Sequence, residues 1–172
     1  MKSLFLLRHA KSSWGDLALS DEQRPLNERG RAAAQAMGRE MAALGLDFDI
    51  VLASPAARTL ETVARVEQAL GRALAARREP RLYLATTAEL LAIVHAADDG
   101  ADRLLLVGHN PGFALLADML AGDDNTPQRA ALVEKYPTGA LAEIAFPVEH
   151  WHDIAPGTGQ LVRFIRPRDL GN

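Results

Sequence analysis

The feature that most constrains this fold is a short apolar run that stops abruptly in a basic and imidazole cluster. Residues 4–7 are Leu-Phe-Leu-Leu, and Arg8, His9 and Lys11 follow almost at once. Such a run is typical of a strand buried on both faces of a sheet. Ligands of open α/β sheets bind outside the carboxyl ends of the strands, where Arg8 and His9 emerge. An arginine fork matches phosphate oxygens and neutral imidazole is a nucleophile, so this strand end predicts a phosphate site. The alternative is a strand end capped by solvated charges.

The same pattern occurs twice more along the chain. Ile50–Ala53 and Arg103–Val107 are apolar runs, and each leads through a few polar residues into a predicted helix, over 56–70 and 112–121 respectively. Alternating strands and helices predict an α/β fold in which helices cover both faces of a mostly parallel central sheet. The expected architecture is a three-layer α/β/α sandwich.

Polar side chains follow all three predicted strands. Because the carboxyl ends of parallel strands meet at one edge of a sheet, Arg8, His9, Arg58 and His109 are expected to lie together. Arg58 occupies the first turn of its helix, where a cation is unfavourable for the helix dipole and a bound anion is favourable. Its position therefore indicates a ligand, although a surface ion pair with Glu61 is an alternative.

Capping signals give the expected helix boundaries. Ser54-Pro55 and Asn110-Pro111 each predict an N-cap followed by the first helical residue. Thr87 is the expected N-cap of a helix that runs to about residue 97.

Asn27 is expected to cap an amphipathic helix over 31–44. Gly30, in its first turn, either allows close packing against a neighbour or is merely tolerated at a fraying end.

Other segments carry weaker signals. Residues 71–80 are expected to form a connection with a solvated Arg77-Arg78, and residues 81–84 a short strand or extended segment. A short helix is expected over 128–136, and alternation predicts strands over 140–146 and 160–165, joined by a long connection at the edge of the sheet. Trp14 is the one large apolar side chain expected to anchor the loop after His9.

Composition limits the classes of function. At 172 residues the chain is expected to form a single domain, 1–172. A net charge of −3 argues against a nucleic-acid surface, and the absence of cysteine excludes disulfides, thiolate zinc sites and cysteine nucleophiles. No apolar span is long enough to cross a membrane, and the first apolar run is too short for a signal sequence. We therefore expect a cytoplasmic protein without a membrane partner.

Two histidines stand outside the predicted site. His150 and His152 flank Trp151, but this spacing does not place them on one helical face, and no further ligand accompanies them at a recognisable metal spacing. A surface loop is the expected interpretation, and no metal site is predicted.

Three motifs together resemble a known family. In chain order they are Arg8-His9-Ala10-Lys11, Ser54-Pro55-Ala56-Ala57-Arg58-Thr59 and Val107-Gly108-His109-Asn110-Pro111-Gly112. They resemble the histidine phosphatase superfamily, which has the phosphoglycerate-mutase-like fold. The small size of the chain and the stretch Arg24-Pro25-Leu26-Asn27 make it most similar to SixA-type phosphohistidine phosphatases. Ala10 stands where the superfamily usually has glycine, so this position still holds a small residue.

The resemblance implies a reaction and a role for each motif residue. His9 would attack phosphorus and become phosphohistidine before water releases phosphate. Arg8 and Arg58 would hold the nonbridging oxygens, and His109 would complete the pocket. The resemblance implies no metal or other cofactor, and the implied partner is a phosphorylated protein, carrying phosphohistidine, or a small phosphorylated substrate. Lys11 is either a further cation at the pocket rim or a solvated side chain.

The proton donor is the one departure from the family pattern. Many members carry a glutamate after the second motif, whereas residues 81–85 contain no acid. Glu89, Asp16 and Asp21 are the candidate donors. Phosphohistidine loses imidazole, a much weaker base than an alkoxide, so a missing acid favours a phosphohistidine substrate. Two alternatives stay open: an enzyme acting on small phosphate esters or as a mutase, and a module that binds phosphoproteins without hydrolysis.

Overall fold

A six-stranded sheet forms the centre of the molecule. The computed structural model describes residues 1–171, and in these residues no helix is both long and apolar enough to span a bilayer. The strands lie in the order β3-β2-β4-β1-β5-β6. They are β1 (Lys2–Arg8), β2 (Ile50–Ala53), β3 (Arg77–Arg78), β4 (Arg103–Gly108), β5 (Leu141–Phe146) and β6 (Gln160–Ile165).

Helices connect the strands and cover both faces of the sheet. They are α1 (Glu28–Ala43), α2 (Ala57–Leu70), α3 (Thr87–His95), α4 (Gly112–Leu120) and α5 (Pro127–Glu134). Strand β1 shows why two covering layers are needed, since Leu4 and Leu6 pack into the core under α3 and α4. Phe5 and Leu7 pack on the other face with side chains of α1 and α2. Because successive side chains of a strand alternate between faces, an uninterrupted apolar run requires helices on both.

The sheet is mostly parallel, as the sequence predicts. Strand β4 pairs in parallel with β1 and β2, and β2 pairs in parallel with β3. Strand β5 runs antiparallel to both β1 and β6. The predicted strands over 140–146 and 160–165 are therefore a hairpin at one side of the sheet, and the α/β sandwich is confirmed.

The ends of β1, β2 and β4 meet at one edge of the sheet. The backbone N–H of His9 donates to the carbonyl of Gly108 at 3.0 Å, and that of Ser54 donates to Val107 at 3.0 Å. The loop before β5 reaches the same edge, where the N–H of Gly139 donates to the carbonyl of His9 at 2.9 Å. This backbone network holds the strand ends in fixed register.

Two predicted N-caps are wrong, by two residues at α2 and by one residue at α4. Helix α2 begins at Ala57 with Ala56 as its N-cap, so neither Ser54 nor Pro55 starts it. Helix α4 begins at Gly112 with Pro111 as its N-cap, and Asn110 lies outside it. Before α2 the hydroxyl of Ser54 bonds to His109 instead of capping the helix. Asn110 does both: its Oδ1 accepts from the N–H of Ala114 inside α4, and its Nδ2 donates to the carbonyl of Tyr136.

The segment between α2 and α3 also differs from its prediction. Residues 77–78 are not only a connection, since they form the short edge strand β3, although both side chains are exposed as expected. Residues 80–82 form one 3-10 turn instead of a strand. The N-cap of α3 is Thr86 rather than Thr87, because its hydroxyl accepts a hydrogen bond from the N–H of Glu89.

The start of α1 agrees with the capping prediction. The side chain of Asn27 accepts a hydrogen bond from the N–H of Gly30 at 2.8 Å. A Cβ at position 30 would lie 2.0 Å from the carbonyl oxygen of Lys11. Gly30 therefore serves close packing, and the alternative of a merely tolerated glycine is wrong.

Candidate active site

A cavity of about 620 Å³ opens at the edge where the strand ends meet. Four side chains that the sequence predicts to lie together, Arg8, His9, Arg58 and His109, all line it. The rings of His9 and His109 are 5.3 Å apart between centroids. Strand ends 100 residues apart in the chain thus build one site.

The ring of His9 is oriented by its own backbone. Its Nδ1 lies 2.6 Å from the carbonyl oxygen of Ala10. A carbonyl only accepts, so Nδ1 carries the proton and Nε2 carries the lone pair. Burial, with further contributions from Arg58 and Arg8, lowers the pKa of His9 to about 4. Near neutral pH the ring is a neutral nucleophile.

His109 is held between a hydroxyl and a guanidinium. Its Nδ1 accepts from Arg58 Nη2 at 3.4 Å, so its Nε2–H donates to Ser54 Oγ at 2.7 Å. Burial, followed by the charges of His9 and Arg58, lowers its pKa to about 3. His109 is therefore neutral, and Ser54 holds it in a single tautomer.

Arg58 is positioned by Asp21 and not by Glu61. The guanidinium donates to the backbone carbonyl of Asp21 at 2.7 Å and to its Oδ2 at 3.0 Å. Glu61 pairs instead with Arg31, at 2.6 Å, so the proposed surface ion pair of Arg58 is wrong. Two bonds from one residue fix the plane of a buried guanidinium.

Arg8 is held by the segment that precedes β5. Its Nη1 donates to the backbone carbonyl of Tyr136 at 2.9 Å, and Asn110 Nδ2 donates to the same carbonyl at 2.9 Å. The Nε groups of Arg8 and Arg58 are buried and have no hydrogen-bond partner within residues 1–171. Both guanidinium groups line the cavity, where their forked donors match the geometry of an anion's oxygens.

Arg24 is a site residue that the sequence argument missed. Its guanidinium is buried, lines the cavity and donates to Asp21 Oδ1 and to Ser12 Oγ at 3.0 and 2.8 Å. It lies 3.5 Å from the ring centroid of Trp14. The available signal was the close spacing of Asp21 and Arg24, but such pairs are common on protein surfaces. Trp14 itself is 70% exposed, so the prediction that it anchors the loop is wrong.

The side chain of Lys11 lies at the opening of the cavity, and its backbone is bonded to the residue that precedes α1. Its side chain is exposed and lines the opening, as the first of its two interpretations requires. Its backbone carbonyl accepts from the N–H of Asn27 at 3.0 Å. A role for the ammonium group in binding stays a prediction.

The structure separates the three candidate proton donors. Glu89 bonds to the hydroxyl of Thr86 in the cap of α3, and Asp16 bonds to the N–H of Ala18; neither lines the cavity. Asp21 does line it, but the hydroxyl of Tyr83, together with Arg24 and Arg58, holds the pKa of this carboxyl well below its usual range. Asp21 is therefore an ionised positioning group, Glu89 and Asp16 lie away from the cavity, and the identity of a proton donor stays a prediction.

Tyr83 is a second residue that the sequence argument missed. Its hydroxyl donates to Asp21 Oδ2, and its ring lies edge-on to His109 with centroids 5.5 Å apart. Burial and the hydrogen bond to Asp21 raise its pKa. Tyr83 thus braces Asp21 and packs on His109 as a neutral phenol.

The remaining histidines lie elsewhere. His150 contacts Asp99 at 3.0 Å, and its ring stacks on that of His152. In the part of the chain that the structure describes, no group of three or more His, Asp or Glu side chains is placed to hold a metal ion. The cationic groups that line the cavity are arginine and lysine side chains.

Comparison with known proteins agrees with this geometry. Residues 4–83 match the histidine phosphatase superfamily (branch 1). The chain is 35% identical to the uncharacterized protein Rv1276c of Mycobacterium tuberculosis over 164 aligned residues. The alignment covers 94% of this chain and 100% of that protein.

Two solved structures, each described as a putative phosphohistidine phosphatase SixA, are also similar. The one from Nakamurella multipartitia has a TM-score of 0.82 and 28% identity, covering 96% of each chain. The one from Agrobacterium tumefaciens has a TM-score of 0.77 and 28% identity, covering 96% of this chain and 98% of that one. Fold, motifs and sequence relationship agree, and the chain belongs to the histidine phosphatase superfamily.

Proposed function

We propose that this protein is a phosphatase that works through a covalent phosphohistidine on His9 and acts on phosphohistidine in proteins. One observation carries the proposal. His9 is a buried, neutral imidazole whose Nδ1–H is tied to Ala10, so the lone pair of Nε2 is available beside two arginines in one cavity. Phosphoryl transfer depends chiefly on positioning and on charge stabilisation, and both are present here.

The reaction has two displacement steps. In the first, Nε2 of His9 forms a bond to phosphorus while the bond from phosphorus to the leaving group breaks, and the leaving group departs with the electron pair. In the second, a water oxygen attacks the phosphohistidine, the N–P bond breaks and its electrons return to Nε2. The leaving group takes a proton from solvent, and the attacking water releases one to solvent, so the products are inorganic phosphate and the protonated leaving group. His9 regains its neutral form. Arg8 and Arg58 stabilise the charge on the phosphoryl oxygens throughout.

The carboxyl groups that line the cavity support phosphohistidine as the substrate class. Asp21 is the only carboxyl group among the residues lining the cavity, and it is ionised and bonded to Arg24, Arg58 and Tyr83. A phosphate ester of an alcohol needs a proton at the moment its alkoxide leaves. Imidazole is a far weaker base, so its departure places a smaller demand on the enzyme.

Mass spectrometry and substrate comparison test the proposal. We expect acid-labile phosphate on His9 after rapid quenching, and its loss together with activity in His9→Ala. His152→Ala is the matched control, because this histidine is exposed and outside the cavity. A fully active His9→Ala variant would refute the mechanism.

The substrate class is tested separately. A peptide carrying phosphohistidine should be hydrolysed with higher kcat/KM than p-nitrophenyl phosphate or sugar phosphates. If the esters are preferred by a wide margin, the protein is a small-molecule phosphatase. If phosphorylated peptides bind without turnover, it is a binding module.

A further inference from the structure

Two exposed apolar side chains lie on the rim of the His9 cavity. Trp14 is 70% exposed and Leu84 is 54% exposed, and both line the opening. We call these two residues the apolar rim. Single exposed apolar residues are common, but two that border the same charged cavity indicate a surface that becomes covered.

The surrounding structure holds the apolar rim in place. The ring of Trp14 lies over Arg24, whose guanidinium is fixed by Asp21 and Ser12. Leu84 has a φ of +49°, which is unfavourable for a residue with a bulky side chain. Its neighbours Leu82 and Ala85 are buried, so the backbone is anchored on both sides and directs Leu84 outward. Strain of this kind is found at functional sites more often than elsewhere.

The apolar rim borders one side of the phosphate-binding groups. Arg24 and Tyr83 both bond to Asp21, so Trp14 and Leu84 flank this carboxylate on the side of Arg58. Lys135, Pro137 and Thr138 also line the cavity, and they are close in the chain to Tyr136, whose carbonyl holds Arg8. A phosphoryl group held by the arginines therefore has the exposed Trp14 and Leu84 at the rim beside it.

We propose that the apolar rim binds an apolar side chain that neighbours the phosphorylated residue in a protein substrate. This inference rests on the proposed function. The cationic cavity binds the anionic phosphoryl group, and the rim is continuous with that cavity, so both parts of one polypeptide segment are engaged together. A sugar phosphate presents hydroxyl groups beside its phosphate and would not cover Trp14 and Leu84 favourably.

Two synthetic peptides test the inference. Both carry phosphohistidine and have the same length, but one places leucine and the other serine on each side of it. We measure kcat/KM for each peptide and compare the ratio of the two values. A loss of activity that affects both peptides equally does not change this ratio. We expect the wild-type protein to favour the leucine peptide by about tenfold, the effect of burying one apolar side chain.

Three variants test whether Trp14 and Leu84 cause the preference for the leucine peptide. Trp14→Ala and Leu84→Ala should each lower the ratio, and the double variant should bring it close to one. Leu84→Ala leaves the stacking on Arg24 untouched, so its result does not depend on the fold of the Trp14 loop. Leu115→Ala is the matched control, because Leu115 is 55% exposed but lies on α4 outside the cavity lining. It should keep the wild-type ratio.

The outcomes separate the two proposals. A wild-type ratio of one, or a ratio that the double variant leaves unchanged, would overturn the apolar rim while the phosphatase assignment stands. Cleavage of p-nitrophenyl phosphate but of neither peptide would overturn the rim and the proposed substrate together.

Discussion

Replacing Gly30 with alanine tests the contacts that orient the nucleophile. The added Cβ would lie 2.0 Å from the carbonyl oxygen of Lys11 and 2.9 Å from its backbone N and carbonyl carbon. Ordinary contact needs about 3.5 Å, so helix and loop must separate by more than about 1 Å. The carbonyl of Lys11 is also bonded to the N–H of Asn27 at 3.0 Å, directly before α1. The loop must therefore yield.

The displacement passes to His9 through one residue. Ala10 lies between Lys11 and His9, and its carbonyl accepts from Nδ1 of His9 at 2.6 Å. A misplacement of about 1 Å costs roughly 100-fold in rate, so kcat/KM should fall by about that factor. Alanine gains about 1 kcal/mol of helix propensity, whereas overpacking costs about 1–3 kcal/mol. The bond between Lys11 and Asn27 keeps the loop from moving freely away from α1. We therefore expect a small net decrease in the free energy of unfolding.

Enzyme kinetics and urea unfolding measure the two effects separately. Gly38→Ala is the matched control on the same helix, since its Cβ would meet Ala69 and the carbonyl of Val66 at 2.7 Å, between α1 and α2. That variant should lose stability and keep its kcat/KM. If Gly30→Ala is folded and as active as wild type, the proposed transmission from α1 to His9 is wrong.

Two further predictions concern the histidines. Because only neutral His9 attacks and its pKa is lowered to about 4, kcat/KM should stay level on the acid side until the pH approaches 4, after correction for titration of the substrate's own phosphate; an enzyme inflection near 6.5 would contradict this. Ser54→Ala removes the acceptor of the His109 Nε2–H and leaves a buried donor unpaired, so stability should fall by about 1–3 kcal/mol and kcat/KM should fall as well. Trp151→Phe is the control, because the buried indole N–H donates to the carbonyl of Ala101 at 2.8 Å and neither residue lines the cavity, so it should reduce stability alone. Equal effects of the two variants on kcat/KM would show that Ser54 does not position His109.

Stability should depend on pH through the same groups. Unfolded histidine binds a proton near pH 6.5, whereas folded His9 and His109 do so only near 4 and 3. The unfolded state therefore binds more protons as the pH falls from 6.5 to 4, and the free energy of unfolding decreases over that interval. Urea unfolding at several pH values measures it, and a constant free energy would contradict the lowered pKa values.

Local patterns were sufficient to predict the meeting of Arg8, His9, Arg58 and His109 and every strand of the sheet except the short edge strand β3. Burial on both faces requires an uninterrupted apolar run, and parallel strands bring their carboxyl ends to one edge, so both follow from neighbouring residues. The cap of α1 at Asn27 is equally local. Family motifs then attached expected roles to the same positions.

Capping signals failed where the site competed for the capping side chain. Ser54 has the sequence of an N-cap, but its hydroxyl accepts from His109, and α2 begins three residues later. No local pattern distinguishes these two uses of one hydroxyl.

The loop between β1 and α1 shows what the sequence by itself did not determine. Asp21 lies 37 residues from Arg58 and 62 from Tyr83, yet it bonds to both. The hydrogen bond from Tyr83, with those from Arg24 and Arg58, lowers the pKa of this carboxyl and makes a candidate acid an ionised positioning group. The strand ends are determined by the sequence because their burial is a local, periodic property. The position of Asp21, the stacking of Trp14 on Arg24 and the outward direction of Leu84 depend on how a polar loop packs across the finished sheet. Only the tertiary structure decides those contacts, because no periodicity in the loop encodes its partners.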